Sequence, residues 1–408
     1  MMNGLPLRVL HLSTLYPPHI VGGAERSVSM LAEAQAAAGW TVAAACLSPD
    51  GASREERNGV AVFRMPHEND FWMEDWPKHS QREREWAKFK QQANFAIERH
   101  FGAVIDAFRP DLVNTHSMVD VSTRVWHAAH RRGVPIVHTV RDFDLLCAAS
   151  SMYRDTGPCT HRHLKCQVLT FGKRFDQRLV SAVTAVGKEV LDRHLHYRFF
   201  QHVPASLRRV IWNTAELAGV SDGYVRPPRE GQPFTFGYLG RLSPEKGVDV
   251  LLRAAKLLPP TGWKLLIAGA APAGLDEFQK LATGLPVEFL GFTTPKELFE
   301  RIDVLVTPSL WAEPLGRSVL EAYRVGVPVI ASDAGGPAEI IADPDWLFPT
   351  GDVGALAGRM QRTSEEGRHR LPPLERFAST VARTRPQVVA QEFADVYRTL
   401  LSSRSKAT

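Results

Sequence analysis

From Ser309 to Ile341 the chain reads SLWAEPLGRSVLEAYRVGVPVIASDAGGPAEII. Pro314 takes the place of a first helical residue and Gly326 that of a helix stop, so the spacing predicts a helix between them. Glu313 then belongs to the loop feeding that helix, and Glu321 lies about two turns inside it. At ~1.5 Å per residue the two carboxylates stand roughly 12 Å apart along the axis, about the length of a sugar-diphosphate-ribose unit. The helix start at Leu315, Gly316 and Arg317 offers free backbone N–H groups and a positive dipole end. A pyrophosphate fits there, and Gly316 permits close approach of the backbone. On this reading Glu313 grips sugar hydroxyls and Glu321 a ribose diol. A surface helix that happens to carry two glutamates is the plain alternative.

The flanks argue for the first reading. DVLVTPS before the stretch and GVPVIASDAGG within it are short apolar strands closed by small turn residues. Strand, loop, helix, strand is the parallel α/β unit whose ligands lie at the carboxyl ends of the strands. The stretch resembles the E-x7-E signature of the retaining GT-B glycosyltransferases, in particular glycosyltransferase family 4. Leu315 stands where that family more often has Phe. The resemblance implies an α/β protein of GT-B fold, with two Rossmann-like domains facing across a cleft. The nucleotide would bind the second domain and the acceptor mainly the first.

At 408 residues the chain suits two domains of ordinary size. With 44% hydrophobic and 23% charged residues it has the composition of a soluble globular protein. The formal charge of +5 and the pI near 9.0 suit anionic ligands or an anionic membrane surface. They are too small to argue for nucleic acid. Met1 to Leu15 shows no secretory signal, no run approaches ~18 apolar residues, and four cysteines make no disulfide scaffold. The expectation is a cytoplasmic protein, peripheral at the inner face of the membrane if it touches lipid at all.

LRVLHLS (7–13) is a strand that runs into the Pro/Gly loop TLYPPHIVGGAE and a helix from about Ala24 to Ala38. Gly22 and Gly23 suit a phosphate approaching the backbone, although a plain tight turn explains them equally. Tyr16-Pro17-Pro18 and Gly22-Gly23-Ala24-Glu25 match the opening that such glycosyltransferases share. TVAAACL (41–47) and GVAVFRM (59–65) are further strands. His79 to Phe108 is expected as one long helical stretch, dense in Arg, Lys and Glu, with its aromatics packed inward; a basic face on anionic lipid is the second reading. DLVNTHS (111–117) and VPIVHTV (134–140) are buried strands with a helix near Ser122 to Arg132 between them. His116 and His138 stand toward their carboxyl ends. Similarity to the family's strand-end histidine points to His138 as the group near the transferred sugar. His116, with Tyr16 and Asp142, falls to the acceptor side. Arg141 to Phe171 holds Cys147, Cys159, His161, His163 and Cys166, which are ligand types at non-standard zinc spacing; a cysteine pair or an acceptor-facing loop are the other readings. SAVTAVG (181–187) and RRVIWN (208–213) close the first domain, expected over 1–213. Residues 214–232 are rich in Gly, Pro and charge and read as a linker.

The second domain is expected over 233–385, starting at PFTFGYLGRLSPEKGVDVLLRAA. Arg241 and Lys246, five apart beyond a strand and bracketed by glycines, suit two phosphates: Arg forks onto oxygens and Lys supplies a point charge. G-R-L-x-x-x-K-G matches the family's phosphate segment. KLLIAGA, VEFLGF, VLVTPS and VPVIASD supply further parallel strands. A final helix, 386–408, is expected to cross back to the first domain. The implied reaction moves a sugar from a nucleoside diphosphate to a hydroxyl of a saccharide or lipid-linked acceptor, with Glu313 and His138 at the reacting sugar. Arg241, Lys246, Leu315, Gly316, Arg317 and Glu321, with Gly22 and Gly23, hold the donor. No Asp-x-Asp holds a divalent ion, so the expectation is metal-independent transfer with no cofactor. A phosphorylase on the same frame, a small-molecule glycosyltransferase and a non-catalytic sugar-nucleotide-binding protein stay open.

Overall fold

A computed structural model describes residues 6–20, 22–154, 157–272 and 274–405. Val21 of the Pro/Gly loop, residues 155–156 of the Cys/His-rich stretch and residues 406–408 of the expected last helix lie outside them. The chain divides into two compact units. The first comprises residues 1–152, 160–214 and 386–408; the second comprises residues 153–159 and 215–385.

The first unit is built on β1 (Arg8–Ser13), β2 (Thr41–Ser48), β3 (Ser53–Arg57), β4 (Val60–Pro66), β5 (Leu112–His116) and β6 (Ile136–Val140). A short hairpin, β7 (Tyr153–Arg154) and β8 (Gly157–Pro158), precedes β9 (Ala182–Ala185) and β10 (Arg208–Val210). The sheet order is β10-β9-β6-β5-β1-β2-β4-β3, parallel throughout except for β3 on β4. A parallel sheet is covered on both faces, which is why LVNTH and IVHTV are buried at every position. β3, SREER, is exposed along its length and went unread because it has no apolar residue at all. It caps the edge with charge.

The helix Pro386–Ser405 belongs to this unit. It packs on the helix Gly23–Ala37, and its buried Tyr397 hydroxyl accepts a 2.6 Å bond from the Asn114 side-chain amide of β5.

The expected long helix over 79–108 is corrected to two, Gln81–Gln91 and Phe95–Phe108. Each has its own N-cap: the Ser80 hydroxyl accepts from the Glu83 N–H, and the Asn94 side chain from the Ile97 N–H. The aromatics divide with the helices. Phe101 and Phe108 are buried, whereas Trp86, Phe89 and Phe95 are exposed rather than packed inward.

The second unit carries β11 (Phe234–Leu239), β12 (Trp263–Ala268), β13 (Val287–Gly291), β14 (Val304–Thr307), β15 (Val329–Ser332) and β16 (Leu347–Phe348). They form one parallel sheet in the order β13-β12-β11-β14-β15-β16. The order reverses between β11 and β14, and the carboxyl ends of these two neighbours therefore flank a crevice.

Of residues 214–232, expected as a linker, 215–232 are packed into this unit. Two of their arginines are held down: Arg226 donates to the Ile302 carbonyl at 2.8 Å, and buried Arg229 meets Asp303 at 3.1 Å. Composition alone does not distinguish a solvated charge from one that holds a segment down. Among the described residues no helix is long and apolar enough to cross a membrane.

Candidate functional site

The crevice between β11 and β14 receives Gly240 to Lys246 from one strand and Pro308 to Glu313 from the other. Lys246 lies in a short turn, and its ammonium meets the Glu313 carboxylate at 2.6 Å. The Ser309 hydroxyl donates to the same carboxylate oxygen at 2.5 Å. Burial raises the Glu313 carboxyl, but the Lys246 ammonium and the Ser309 hydroxyl outweigh it, leaving Glu313 below the usual carboxylate range. The Lys246 ammonium also lies 5.5 Å from the Trp311 ring centre. Gly247 keeps the two segments together. Its φ is +67°, and a Cβ there would sit 2.0 Å from the Pro308 carbonyl oxygen.

The helix begins at Arg317 rather than at Pro314. Gly316, at φ +81°, is its N-cap, and the E-P-L-G segment ahead of it is loop. The start is delayed because the loop is held from behind. The Gly336 N–H donates to the Glu313 carbonyl at 2.6 Å, and a Cβ on Gly335 would stand 2.5 Å from the Glu313 backbone N and O. The Ala-Gly-Gly after β15 is thus a backbone cradle for Glu313 and Leu315, a role hidden while it reads as an ordinary turn. Glu321 lies about one turn into the helix, not two. It is buried, and its Oε1 accepts from the Arg317 Nε at 2.6 Å. Arg317 therefore brings a side chain as well as a backbone N–H to the helix start. Leu315 is buried in the loop, and Arg241 is exposed, 3.7 Å from the Glu245 carboxylate. Lys246, Glu313, Ser309, Gly316, Arg317 and Glu321 are brought together at the carboxyl ends of one sheet.

In the first unit the histidines lie elsewhere than expected. His138 is in the middle of β6, 1% exposed, with its Nδ1 on the Thr115 hydroxyl at 2.9 Å and its ring among Trp126 and Phe200. Burial, then the nearby His194 and Lys173, push it down to about 3. It is a neutral core residue that presents nothing to a sugar, and its assignment to the reacting centre is corrected on that ground. His116 is equally enclosed, and both its nitrogens are spent. The His11 Nε2 bonds to the Gln35 side-chain oxygen at 2.8 Å and so carries the proton; His11 Nδ1 then accepts from His116 Nε2 at 2.9 Å. His116 Nδ1 is left to accept from the Arg141 guanidinium at 3.2–3.3 Å. Burial and the Arg141 charge keep His116 well below its ordinary value. His116 positions Arg141; it does not reach an acceptor. Tyr16 is fully buried as well.

What does lie just beyond the strand ends is Arg141 and Asp142 after β6 and Ser117 after β5. The Ser117 hydroxyl donates to Asp142 at 2.5 Å, and Arg141 also bonds to the Asn213 side chain. Burial and the neighbouring Asp144 push Asp142 up to about 6. Arg141, next to the expected Asp142, is a site residue the sequence reading lacks, although its place one residue past the strand end is itself the signal. Gly22 caps the helix Gly23–Ala37 through its N–H, which donates to Glu25 at 3.0 Å, and its φ of −146° is open to any residue. The Cys147 and Cys166 thiols share a hydrogen bond that raises Cys147, and the His161 and His163 rings lie 4.7 Å apart. Among the described residues no three His, Cys, Asp or Glu side chains gather as a metal site, so the zinc reading has no support.

Two family models match in succession: a glycosyl transferase 4-like domain over residues 22–214, and glycosyl transferases group 1 over residues 225–377. An uncharacterized glycosyltransferase of Methanocaldococcus jannaschii is 26% identical over 364 residues, covering 84% of this chain and 85% of its own. Sucrose-phosphate synthase from Thermosynechococcus elongatus superposes with a TM-score of 0.72 at 19% identity, over 97% of this chain and 100% of that one. Anabaena HepE, solved with UDP and glucose, does so with a TM-score of 0.61 at 18% identity, over 98% and 99%. With its two parallel-sheet Rossmann-like units, the chain belongs to the group 1, family 4 type of GT-B glycosyltransferases.

Proposed function

We propose that the protein transfers a sugar, with retention of anomeric configuration, from a nucleoside-diphosphate sugar to a hydroxyl of a saccharide or lipid-linked acceptor in surface polysaccharide or glycolipid assembly. The observation that carries this reading is the Lys246–Glu313 pair at the strand-order reversal, one loop from the Gly316–Arg317 helix start. As the sugar's C1–O bond breaks, negative charge grows on the departing diphosphate, and stabilising it is the main catalytic demand. Lys246, Arg241 and the N–H groups at the helix start meet that charge with fixed positive charge. Transfer on this reading requires neither a metal nor a cofactor beyond the donor, and activity should survive chelator unchanged. Glu313, held ionised, positions the sugar hydroxyls. Glu321, oriented by Arg317, takes the ribose diol. On the acceptor side Asp142 is kept and Ser117 takes the place of His116 as a hydroxyl-binding group. The acceptor proton passes to the departing phosphate, so the chemistry closes without a dedicated base.

Titration calorimetry with UDP, GDP and ADP in chelator tests the donor site. One nucleotide should bind the native chain, and Glu321→Ala should weaken it about tenfold, the loss of one charged hydrogen-bond partner. If no nucleotide binds while inorganic phosphate does, the phosphorylase reading replaces this one.

A further inference from the structure

The exposed apolar residues of the first unit are not scattered. Trp86 and Phe89 lie one turn apart on the helix Gln81–Gln91, with rings stacked at 5.6 Å. Leu164 and Val168 are four apart on the helix Leu164–Leu169, and Phe171 and Phe175 are four apart on the helix Phe171–Asp176, so each helix has its own exposed apolar pair on one face. Leu164 is 76% exposed, Phe171 62% and Trp86 59%. The two segments are fastened side by side. Lys165 pairs with Glu85, and the Gln92 side chain accepts from the Gly172 N–H at 2.7 Å and donates to the Val168 carbonyl at 3.4 Å.

Charge identifies the occupant. Residues 81–92 and 162–178 hold nine basic and three acidic residues, a surplus exceeding the +5 of the whole chain. Beside Phe175 opens a cavity of about 430 Å³ lined by Arg174, Arg178, Arg198 and His202 with Gln177 and Gln201, and no carboxylate is among its described lining residues. Arg174, Arg178 and Arg198 form no ion pair among the described residues. A patch of Leu, Val and Phe rimmed by unpaired guanidinium groups fits an anionic bilayer surface, in which the apolar side chains enter the acyl boundary and the cations meet headgroup phosphates. A second copy of this chain would bring the same positive face and be repelled.

We propose that this face docks the protein on anionic phospholipid bilayers, with the Arg174–Arg178–Arg198 cavity as a headgroup phosphate site. The proposal stands on surface residues outside the donor site and does not depend on which sugar is moved. Co-sedimentation with phosphatidylcholine vesicles, with and without 30% phosphatidylglycerol, at about 0.15 M salt tests it. The native chain should bind only the anionic vesicles. Leu164→Gln/Val168→Gln/Phe171→Ser should weaken binding at least tenfold with every cation kept, and Arg174→Gln/Arg178→Gln/Arg198→Gln should do so with the apolar patch kept. Circular dichroism and the urea midpoint of the first unit should be unchanged in both, which shows that the variants are folded. Indifference of the native chain to anionic vesicles overturns the proposal, as does native-like binding by the apolar triple variant. Equal displacement by inorganic phosphate, or tighter binding of a short single-stranded oligonucleotide, likewise overturns it.

Discussion

One strand, β14, has a buried carboxylate at each end, and the two are provided for differently. Asp303, just before its amino end, is saturated. It meets Arg229 at 3.1 Å and Arg368 at 2.7 and 2.8 Å, and it accepts the Thr235 backbone N–H at 2.7 Å. Glu313, past the carboxyl end, has a single cation, the Lys246 ammonium, with the Ser309 hydroxyl and the Trp311 side chain as its other partners. A carboxylate clamped by two guanidinium groups and a backbone N–H holds a fold together; one whose only cation is a lysine on a turn at a crevice can exchange that partner for a ligand. The first unit has the same polarity. At the carboxyl ends of its sheet, Asp142 is held by Ser117 and the Asp144 backbone N–H, yet its proton affinity is raised.

The largest effect is expected at the saturated end. Asp303→Asn leaves the buried Arg229 and the half-buried Arg368 short of a partner and should cost about 3 kcal/mol in urea unfolding, with nucleotide affinity intact in the folded fraction. A loss of affinity with little loss of stability would invert the comparison. Lys246→Met should do the opposite. Transfer should fall by about 10²–10³-fold in kcat/KM, as for removal of one stabiliser of the developing charge. Stability should change by only about 1 kcal/mol, because Glu313 at the crevice can take up a proton. The smallest effect sharpens the picture in the first unit. The folded pKa of Asp142 is raised above its unfolded value, so the ionised group costs stability, a cost that builds up between the ordinary carboxylate range and about 6 and is level above that. Asp142→Asn should therefore raise the unfolding free energy by about 1 kcal/mol at pH 7.5 and leave it unchanged near pH 4, as read from paired denaturation curves.

The same contrast explains what could be read from the chain beforehand. Apolar runs between turn residues disclose a parallel sheet, and the eight letters from Gly240 to Gly247 disclose a basic turn beyond a strand, because both are local patterns. The placing of Glu313, Gly316 and Glu321 about a helix start was legible for the same reason. The cradle at Gly335–Gly336 was not, since its meaning lies in a contact with a loop some twenty residues earlier. His138 misled because its place in a strand was counted without its depth: two residues from the strand end, both faces of the sheet are covered and either direction leads into the core, whereas Arg141 stands one step past the end, where it reaches His116 and Asn213. The break at Gln92–Asn94 was hidden by helix-forming composition on both sides. The anchoring of 215–232 was hidden because Arg226 and Arg229 look the same in sequence whether solvated or buried.

The helix Pro386–Ser405 has a consequence for how the molecule is made. Its Phe393 and Tyr397 are part of the first unit's core, yet they are synthesised only after the whole of Ala215–Arg385. Domains generally fold as they emerge, the amino-terminal one first. Here that order is reversed: the unit begun first is completed last, and until then the helix Gly23–Ala37 has a bare apolar face. A nascent chain arrested before Pro386 would hold a finished carboxyl-terminal unit beside an unfinished amino-terminal one, and it is the latter that chaperones would have to shield.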